Sequence, residues 1–484
     1  MFTLYDIQLQ HSFYYQQLLE RIVKSYFKSG IARKAALETL ELERANIEAG
    51  HRFASEVSTG ETGAALRQSY AASAALLKQW TTNPRELVRW AKEGIYAARQ
   101  LEEREMAGRH LSNLGYAWHH LGQFRRALPC FKLALAISRE FGNRHTEAED
   151  LFGLGMVLLN LGGAREAVPL LKQSIKILRD SGDRFIEASA LTNLGLAYEA
   201  LGQTRRAIRC HKQTLKLTRE FGDRHDEAYA LNEIATCYET LGDVKRALKM
   251  HEEALVIFRS VGDQAGVCRA LNGLGNVYYD LAEWQKSIDC YAETITLARE
   301  SEDLAAESDA LGNLGIVYQA LGDLRRSVEY HQQALNMSRA VGDVANVGRS
   351  LGNLGRAFEA QGDWEGAVKM QQECLTISRQ IGDRVAEAQD LCNLASAFAV
   401  GDQAHEVIAR CEESLVLARE IGLPDVEAED LRLLGVAYNS LGDEDRGADY
   451  LRRSKELAEG LPALKGYRTA LEKELGQQKA RTRP

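Results

Sequence analysis

The chain has 484 residues, 45% hydrophobic and 26% charged, with 40 glycines, 6 prolines and a net charge of −8 from 60 basic and 68 acidic side chains. That apolar content excludes a disordered chain, and the small acidic excess lacks the footprint of a nucleic-acid binder. No apolar run reaches the roughly 18 residues of a membrane helix. The opening MFTLYDIQLQHSFYYQQLLERIV has neither a basic n-region nor an unbroken apolar h-region. It is therefore not a signal peptide, and a soluble cytoplasmic protein is expected. The eight cysteines never form CxxC, which fits small buried hydrophobes in a reducing compartment.

In chain order, residues 1–70 form an N-terminal helical segment, with Gln8–Glu56 strongly helical and rich in aromatics such as Phe13, Tyr14 and Tyr15. Residues 71–110 read as a divergent helical repeat, because Arg99 falls in phase with an arginine column further on. From 111 to 460 the chain repeats nine times with a 40-residue period. Helical segments begin at Leu111, Leu151, Leu191, Leu231, Leu271, Leu311, Leu351, Leu391 and Leu431, as in LTNLGLAY and LGNLGIVY. Residues 461–484 read as a charged capping helix, Leu461–Leu475, and a basic tail, Gln477–Pro484.

The columns of the repeat each have a physical reading. Gly115, Gly155, Gly195, Gly275, Gly315, Gly355 and Gly435 share one column, filled elsewhere by Ala235 and Ala395. A glycine inside a helix costs about 1 kcal/mol relative to alanine. Its recurrence implies a second helix packed against the backbone, and the alanines show that smallness is what is required. Three residues on stands an aromatic column that includes Tyr198, Tyr238, Tyr318 and Phe358. Gly-Asp and Gly-Asn pairs such as Gly182-Asp183 supply a helix C′ residue and the next N-cap. The unit is helix–turn–helix, and stacked neighbours bury what neither helix can bury alone. Near Gly401-Asp402 the first turn falls one residue early, with compensation before Leu415, which marks a local irregularity or kink.

This pattern resembles the tetratricopeptide repeat: Leu-Gly, the aromatic three on, and the small residues Ala127, Ala167 and Ala207 opening the second helix. The departures are a 40-residue unit instead of 34, Leu for the early Trp, and no closing Pro. The variety is similar to the long repeats of Pins-type scaffolds and of bacterial signalling proteins. The resemblance implies an all-α, right-handed α-solenoid whose first helices line a concave groove. The stretch HSFYYQQLLERI with Leu40–Ala54 is similar to the helices that lead into the repeat arms of STAND-type signalling ATPases. No GxxxxGK(S/T) P-loop is present, so no ATPase activity carries over.

The arginine column (Arg139, Arg179, Arg219, Arg259, Arg299, Arg339, Arg379, Arg419) closes the second helix, where a cation suits the helix dipole. There it can pair with Glu147, Glu187, Glu227, Glu307, Glu387 and Glu427. His211, His251 and His331 form another column. Equivalent positions lie roughly 10 Å apart, too far for a shared ion, so no metal site is read from them. No catalytic motif stands out, and neither enzymatic activity nor a cofactor is expected.

The expected function is a non-enzymatic scaffold binding a protein or peptide, with no nucleic-acid or membrane partner. Asn113, Asn193, Asn313, Asn353 and Asn393 share a first-helix column, and a short amide can bond an extended peptide backbone. Tyr116, Arg269, Asn272, Asn276, Tyr279, Arg349 and Arg356 complete the expected groove. Arg269–Tyr279 with Arg349, Asn353 and Arg356 would favour an acidic ligand, while Glu199, Glu239 and Glu359 make the groove mixed. The alternative is the sensor or autoinhibitory repeat arm of a STAND-type ATPase or other effector, lacking the motor domain.

Overall fold

The computed structural model describes residues 3–26, 31–56, 60–76 and 84–459. Among them are 22 α-helices and no strand. The chain is an all-α solenoid of antiparallel helix pairs. It divides into two compact units, Met1–Ile257 and Phe258–Pro484, with the boundary inside helix Val244–Val261.

The first unit opens with Leu4–Tyr26, Ile31–Glu56, Gly60–Leu76 and Pro84–Gln100. Their shared core holds Leu19, Ile22, Leu40, Ile47, Leu66 and Tyr70. Tyr70 is fully buried and donates its hydroxyl to the Ser12 carbonyl at 2.7 Å, which satisfies the one polar atom on the ring. His51 stacks on Trp90 at 3.9 Å beside it.

From Arg104 onward the helices alternate between a first helix (A) and a second (B), beginning with Arg104–His120 and Phe124–Glu140. The second unit continues the alternation to Pro424–Ser440 and Glu444–Glu459. The A helices begin seven residues before the leucines that mark the period: Arg184 rather than Leu191, for example. The cap decides the start. Asp183 accepts a hydrogen bond from the Ile186 amide at 3.1 Å, and Gly182 before it takes the left-handed conformation at φ +77° that ends the previous helix.

The small column works as its chemistry implies. Position 16 residues on, in helix B, drives its side chain against each of these glycines: Phe131 on Gly115, His211 on Gly195, Tyr291 on Gly275, His331 on Gly315. Around these contacts sit satellite cores, such as Tyr291, Leu311, Leu314 and Ala334 in the second unit.

The arginine column is paired throughout the six expected positions. Arg139–Glu147, Arg179–Glu187, Arg219–Glu227, Arg299–Glu307, Arg379–Glu387 and Arg419–Glu427 lie 2.5–3.0 Å apart. A second set of contacts runs from one B helix to the next. Arg179, Arg219, Arg259, Arg339 and Arg379 also reach the residue 34 on, in the next helix B: Gln213, Glu253, Glu293, Glu373 and Glu413. Each such arginine bridges successive repeats within its unit.

The early turn expected at Gly401 does not occur. Helix Arg384–Val400 ends in phase and Ala404–Ile421 begins in phase. Asp402 takes the left-handed position at φ +54° that a glycine fills in most other repeats. Gly401 is small for a different reason: a Cβ there would lie 2.5 Å from the Trp364 ring. The capping helix and tail expected over residues 461–484 lie outside the described residues.

Candidate functional site

Helix A of the seventh pair, Val344–Gln361, carries two glycines one turn apart, Gly348 and Gly352. Neither is pressed by a neighbour: the nearest atoms to a Cβ are Ile377 at 3.8 Å and Cys374 at 4.0 Å. Other repeats fill these positions with Ala148, Ala188 or Ser308 and with Phe152, Thr192 or Asn232. Here the missing side chains open a cavity of about 500 Å³ bounded by Val344–Gln361, Trp364–Ile381 and Arg384–Val400.

Its floor is Cys374, Ile377, Ser378 and Asp390. Ser378 donates to the Asp390 carboxylate, and the Cys374 thiol donates to it at 3.2 Å. Burial pushes the Asp390 carboxyl above its ordinary pKa against these two donors. Its rim is Arg349, Asn353, Arg356, Gln389 and Asn393. Arg356 donates to the Asn353 side chain at 2.7 Å, Gln389 donates to Asn393 at 3.2 Å, and Arg349 donates to Asp309 and Asn346. Both guanidiniums are exposed, so these are surface contacts worth little and cheap to exchange for a ligand. Two guanidiniums and two amides over a part-apolar cavity suit a carboxylate-bearing chain.

Four of the expected site residues, Arg349, Asn353, Arg356 and Asn393, therefore line one cavity. Others do not join them. Tyr116 is buried, edge-on to Phe131 at 4.8 Å, and bonds the Glu149 carbonyl at 3.3 Å, so it is core rather than groove. Asn193 turns back to the Ser189 carbonyl at 3.0 Å. Asn276 accepts from the Tyr291 hydroxyl at 2.7 Å. Tyr279 packs on Trp284. Asn113, Asn272 and Asn313 are half-buried, and Arg269 is exposed. The pocket residues that sequence reasoning missed are Gly348, Gly352, Cys374 and Asp390. The available signal was the second glycine column: only this repeat has glycine at both positions.

The histidine column is wholly buried. His211 meets Glu199 at 2.7 Å, and His251 meets Glu239 at 2.6 Å and Asn232 at 3.0 Å. Burial lowers the His331 pKa to about 4, with the Arg356 charge adding to it.

Glu359 follows Arg356 by one turn and accepts from Ser396 at 3.1 Å. Burial raises its pKa to about 7, outweighing the Ser396 bond and the Arg356 charge. The folded chain thus holds a proton on Glu359 that the unfolded chain releases above its ordinary value near 4.5. Stability is fully present below that value and is lost as pH rises toward 7. Glu359→Gln should gain on the wild type over this window, by up to about 3 kcal/mol, in urea unfolding at pH 4.5 and pH 8. A difference between the two proteins that does not change with pH would refute this.

The tetratricopeptide repeat model matches residues 107–180, 186–260 and 266–340, and a second model of the same repeat matches 347–381. The chain belongs to the tetratricopeptide repeat family. As a tetratricopeptide repeat protein it is a protein-interaction scaffold. No curated protein matches it. Among solved structures, a Rap protein complexed with Competence and Sporulation Factor is 14% identical, with a TM-score of 0.56 over 78% of this chain and 99% of that one. A STAND protein with a tetratricopeptide repeat sensor from Pyrococcus horikoshii is 14% identical, with a TM-score of 0.54 over 95% and 73%. The quorum sensor NprR from B. thuringiensis, in its apo form, is 15% identical, with a TM-score of 0.52 over 74% and 99%. At these identities the likeness concerns the fold alone. Among the described residues no helix is long and apolar enough to cross a membrane.

Proposed function

We propose that this tetratricopeptide repeat scaffold binds an acidic segment of a partner protein or peptide on its A helices, without chemistry of its own. The observation that carries this is the cavity that Gly348 and Gly352 open beneath Arg349 and Arg356. An apolar or short side chain of the ligand enters the cavity, and an adjacent carboxylate takes the two guanidiniums. The Asn353 and Asn393 amides serve the ligand backbone, which is sequence-tolerant by nature. A solenoid of this fold complexed with Competence and Sporulation Factor, and another that is a quorum sensor, make ligand capture a fitting use of the architecture. Because the helices are preformed, little ordering cost falls on the receptor.

A displayed random-peptide library selected on the full chain tests this reading. Peptides enriched in Asp and Glu beside an apolar residue are expected. Gly352→Leu fills the cavity and favours helix, so the fold is retained while affinity for those peptides drops at least about tenfold; Arg349→Ala/Arg356→Ala should do the same. Equal affinity in all three proteins counts against the cavity.

The second reading is a sensor or autoinhibitory arm acting on a separate STAND-type ATPase or other effector. The structural match to the P. horikoshii STAND protein, spanning 95% of this chain, favours it. It requires an effector gene beside this one or a reading frame extending upstream of Met1. A native gene with neither would remove this reading.

A further inference from the structure

Repeats of one column lie too far apart to share an ion, but three successive helices can each lend one residue. His211, on helix Thr204–Phe221, lies wholly buried beneath Gly195. Its Nε2 is 2.7 Å from Oε1 of Glu199, on the preceding helix Arg184–Ala200. Cys237, on the following helix Arg224–Thr240, is also buried, with its sulfur within 4.8 Å of the same carboxylate. One donor atom from each lies within 4.8 Å of the other two, and this is the one such group of three among the described residues.

We propose that Glu199, His211 and Cys237 form a binding site for a borderline transition-metal ion, Zn²⁺ in the first instance. One sulfur, one nitrogen and one oxygen suit Zn²⁺ in tetrahedral geometry and not Mg²⁺ or Ca²⁺, which need six or more oxygens. The fourth position lies on the side of Glu199, the only one of the three that is partly exposed, and falls to water or a ligand atom.

The next repeat shows what the pair does without the thiol. Glu239 and His251 repeat the contact at 2.6 Å, but His251 is also held by Asn232, and the residue 40 beyond Cys237 is Val277. A Glu–His contact therefore has a structural use of its own, and Cys237 is the addition that turns it into a ligand set. His211 Nδ1 is buried without a partner. A metal-bound histidine unsupported at its second nitrogen costs about 10–100-fold in affinity, so binding of modest strength is expected.

The proton balance is simple. Burial and the Glu199 charge push the Cys237 thiol well above its ordinary pKa, so the metal-free site holds S–H. On binding, the sulfur–metal bond replaces the S–H bond and one proton leaves to solvent. In the bound state Nε2 of His211 and one oxygen of Glu199 take the metal, which replaces the contact between them. Binding therefore tightens as pH rises.

The test is a Co²⁺ titration of the full, chelator-treated chain, read by thiolate-to-Co²⁺ charge-transfer absorption and tetrahedral d–d bands. One equivalent is expected to saturate the signal, and Zn²⁺ to displace it. Cys237→Ser and Cys237→Val should abolish the charge-transfer band, the second with Val277 as precedent for a valine at this place in the repeat. Glu199→Gln should weaken binding at least about tenfold, and Glu239→Gln should leave it unchanged. No charge-transfer band in the wild type overturns the proposal. So does a band that survives in folded Cys237→Val, since it would belong to another of the eight cysteines.

Discussion

Gly275→Ala should lower the stability of the chain by about 1–2 kcal/mol, while Gly312→Ala should raise it by about 0.5–1 kcal/mol. Both glycines sit inside A helices, Gln264–Asp280 and Leu304–Ala320, where alanine is the better helix former by about 1 kcal/mol. Propensity alone predicts a gain at both. The difference lies in what a methyl group meets. At Gly312 the nearest atom is the Ala334 Cβ at 4.0 Å, an ordinary contact, so the gain is realised. At Gly275 a methyl would stand 2.5 Å from Tyr291 Cε1 and 2.6 Å from Cζ. That ring is 2% exposed, and its hydroxyl is bonded to Asn276, so it has no rotamer to retreat to. Overpacking of this kind costs about 1–3 kcal/mol, which exceeds the helix gain. The same column accepts Ala395 where helix B supplies Cys411 instead of an aromatic ring. In a Tyr291→Cys background, then, Gly275→Ala should cost nothing further, and a double-mutant cycle by urea unfolding measures that coupling. Two variants of the same sign, or additive effects in the cycle, would refute the packing account.

The glycine case also shows where reading the sequence stops. A periodic glycine in a helix announces a close neighbour, and the period alone identified the column. Which residue presses on it is a matter of helix crossing, so Phe131, Tyr291 and His331 became its partners only in three dimensions. The leucines at the period were the strongest column, and this drew the helix start seven residues late; the polar first turns that vary between repeats hid the true one. The arginines and their glutamates eight residues on were legible because one short turn separates them. The partners 34 residues on were not, because they depend on two B helices lying side by side. At the candidate site, Asn353 and Asn393 could be named from their column, and Arg349 and Arg356 from their place on the same first helix as Asn353. The cavity could not: LGNLG occurs at both Leu311–Gly315 and Leu351–Gly355. What differs is one turn earlier, Gly348 against Ser308, so the mark of this repeat is glycine at both positions together and not the LGNLG string itself.

Removing Arg179 and Arg184 together should cost about 3–5 kcal/mol, more than removing the acid they share. Glu187 is 2% exposed and takes Arg179 at 2.5 Å and Arg184 at 3.4 Å, while the two arginine side chains remain about half in water. The costs of deletion are therefore unequal. Glu187→Ala leaves two guanidiniums that solvent can receive, and Arg179 keeps Gln213. Arg179→Ala alone leaves Glu187 one cation. The double variant leaves Glu187, 2% exposed in the folded chain, between helix Ala164–Ser181 and helix Arg184–Ala200 without either of its two cations. The expected order of urea midpoints is wild type, then Glu187→Ala and Arg179→Ala, then the double variant well below both. If Glu187→Ala proves the costliest, the column acts through the arginine's contacts to the next helix B and not through the buried acid. The same geometry recurs at Glu147 with Arg139 and Arg144 and at Glu227 with Arg219 and Arg224. Each of these acids fixes the turn from a B helix to the next A helix, so a regular charge column that could pass for an anion-binding stripe is spent on holding consecutive repeats in register.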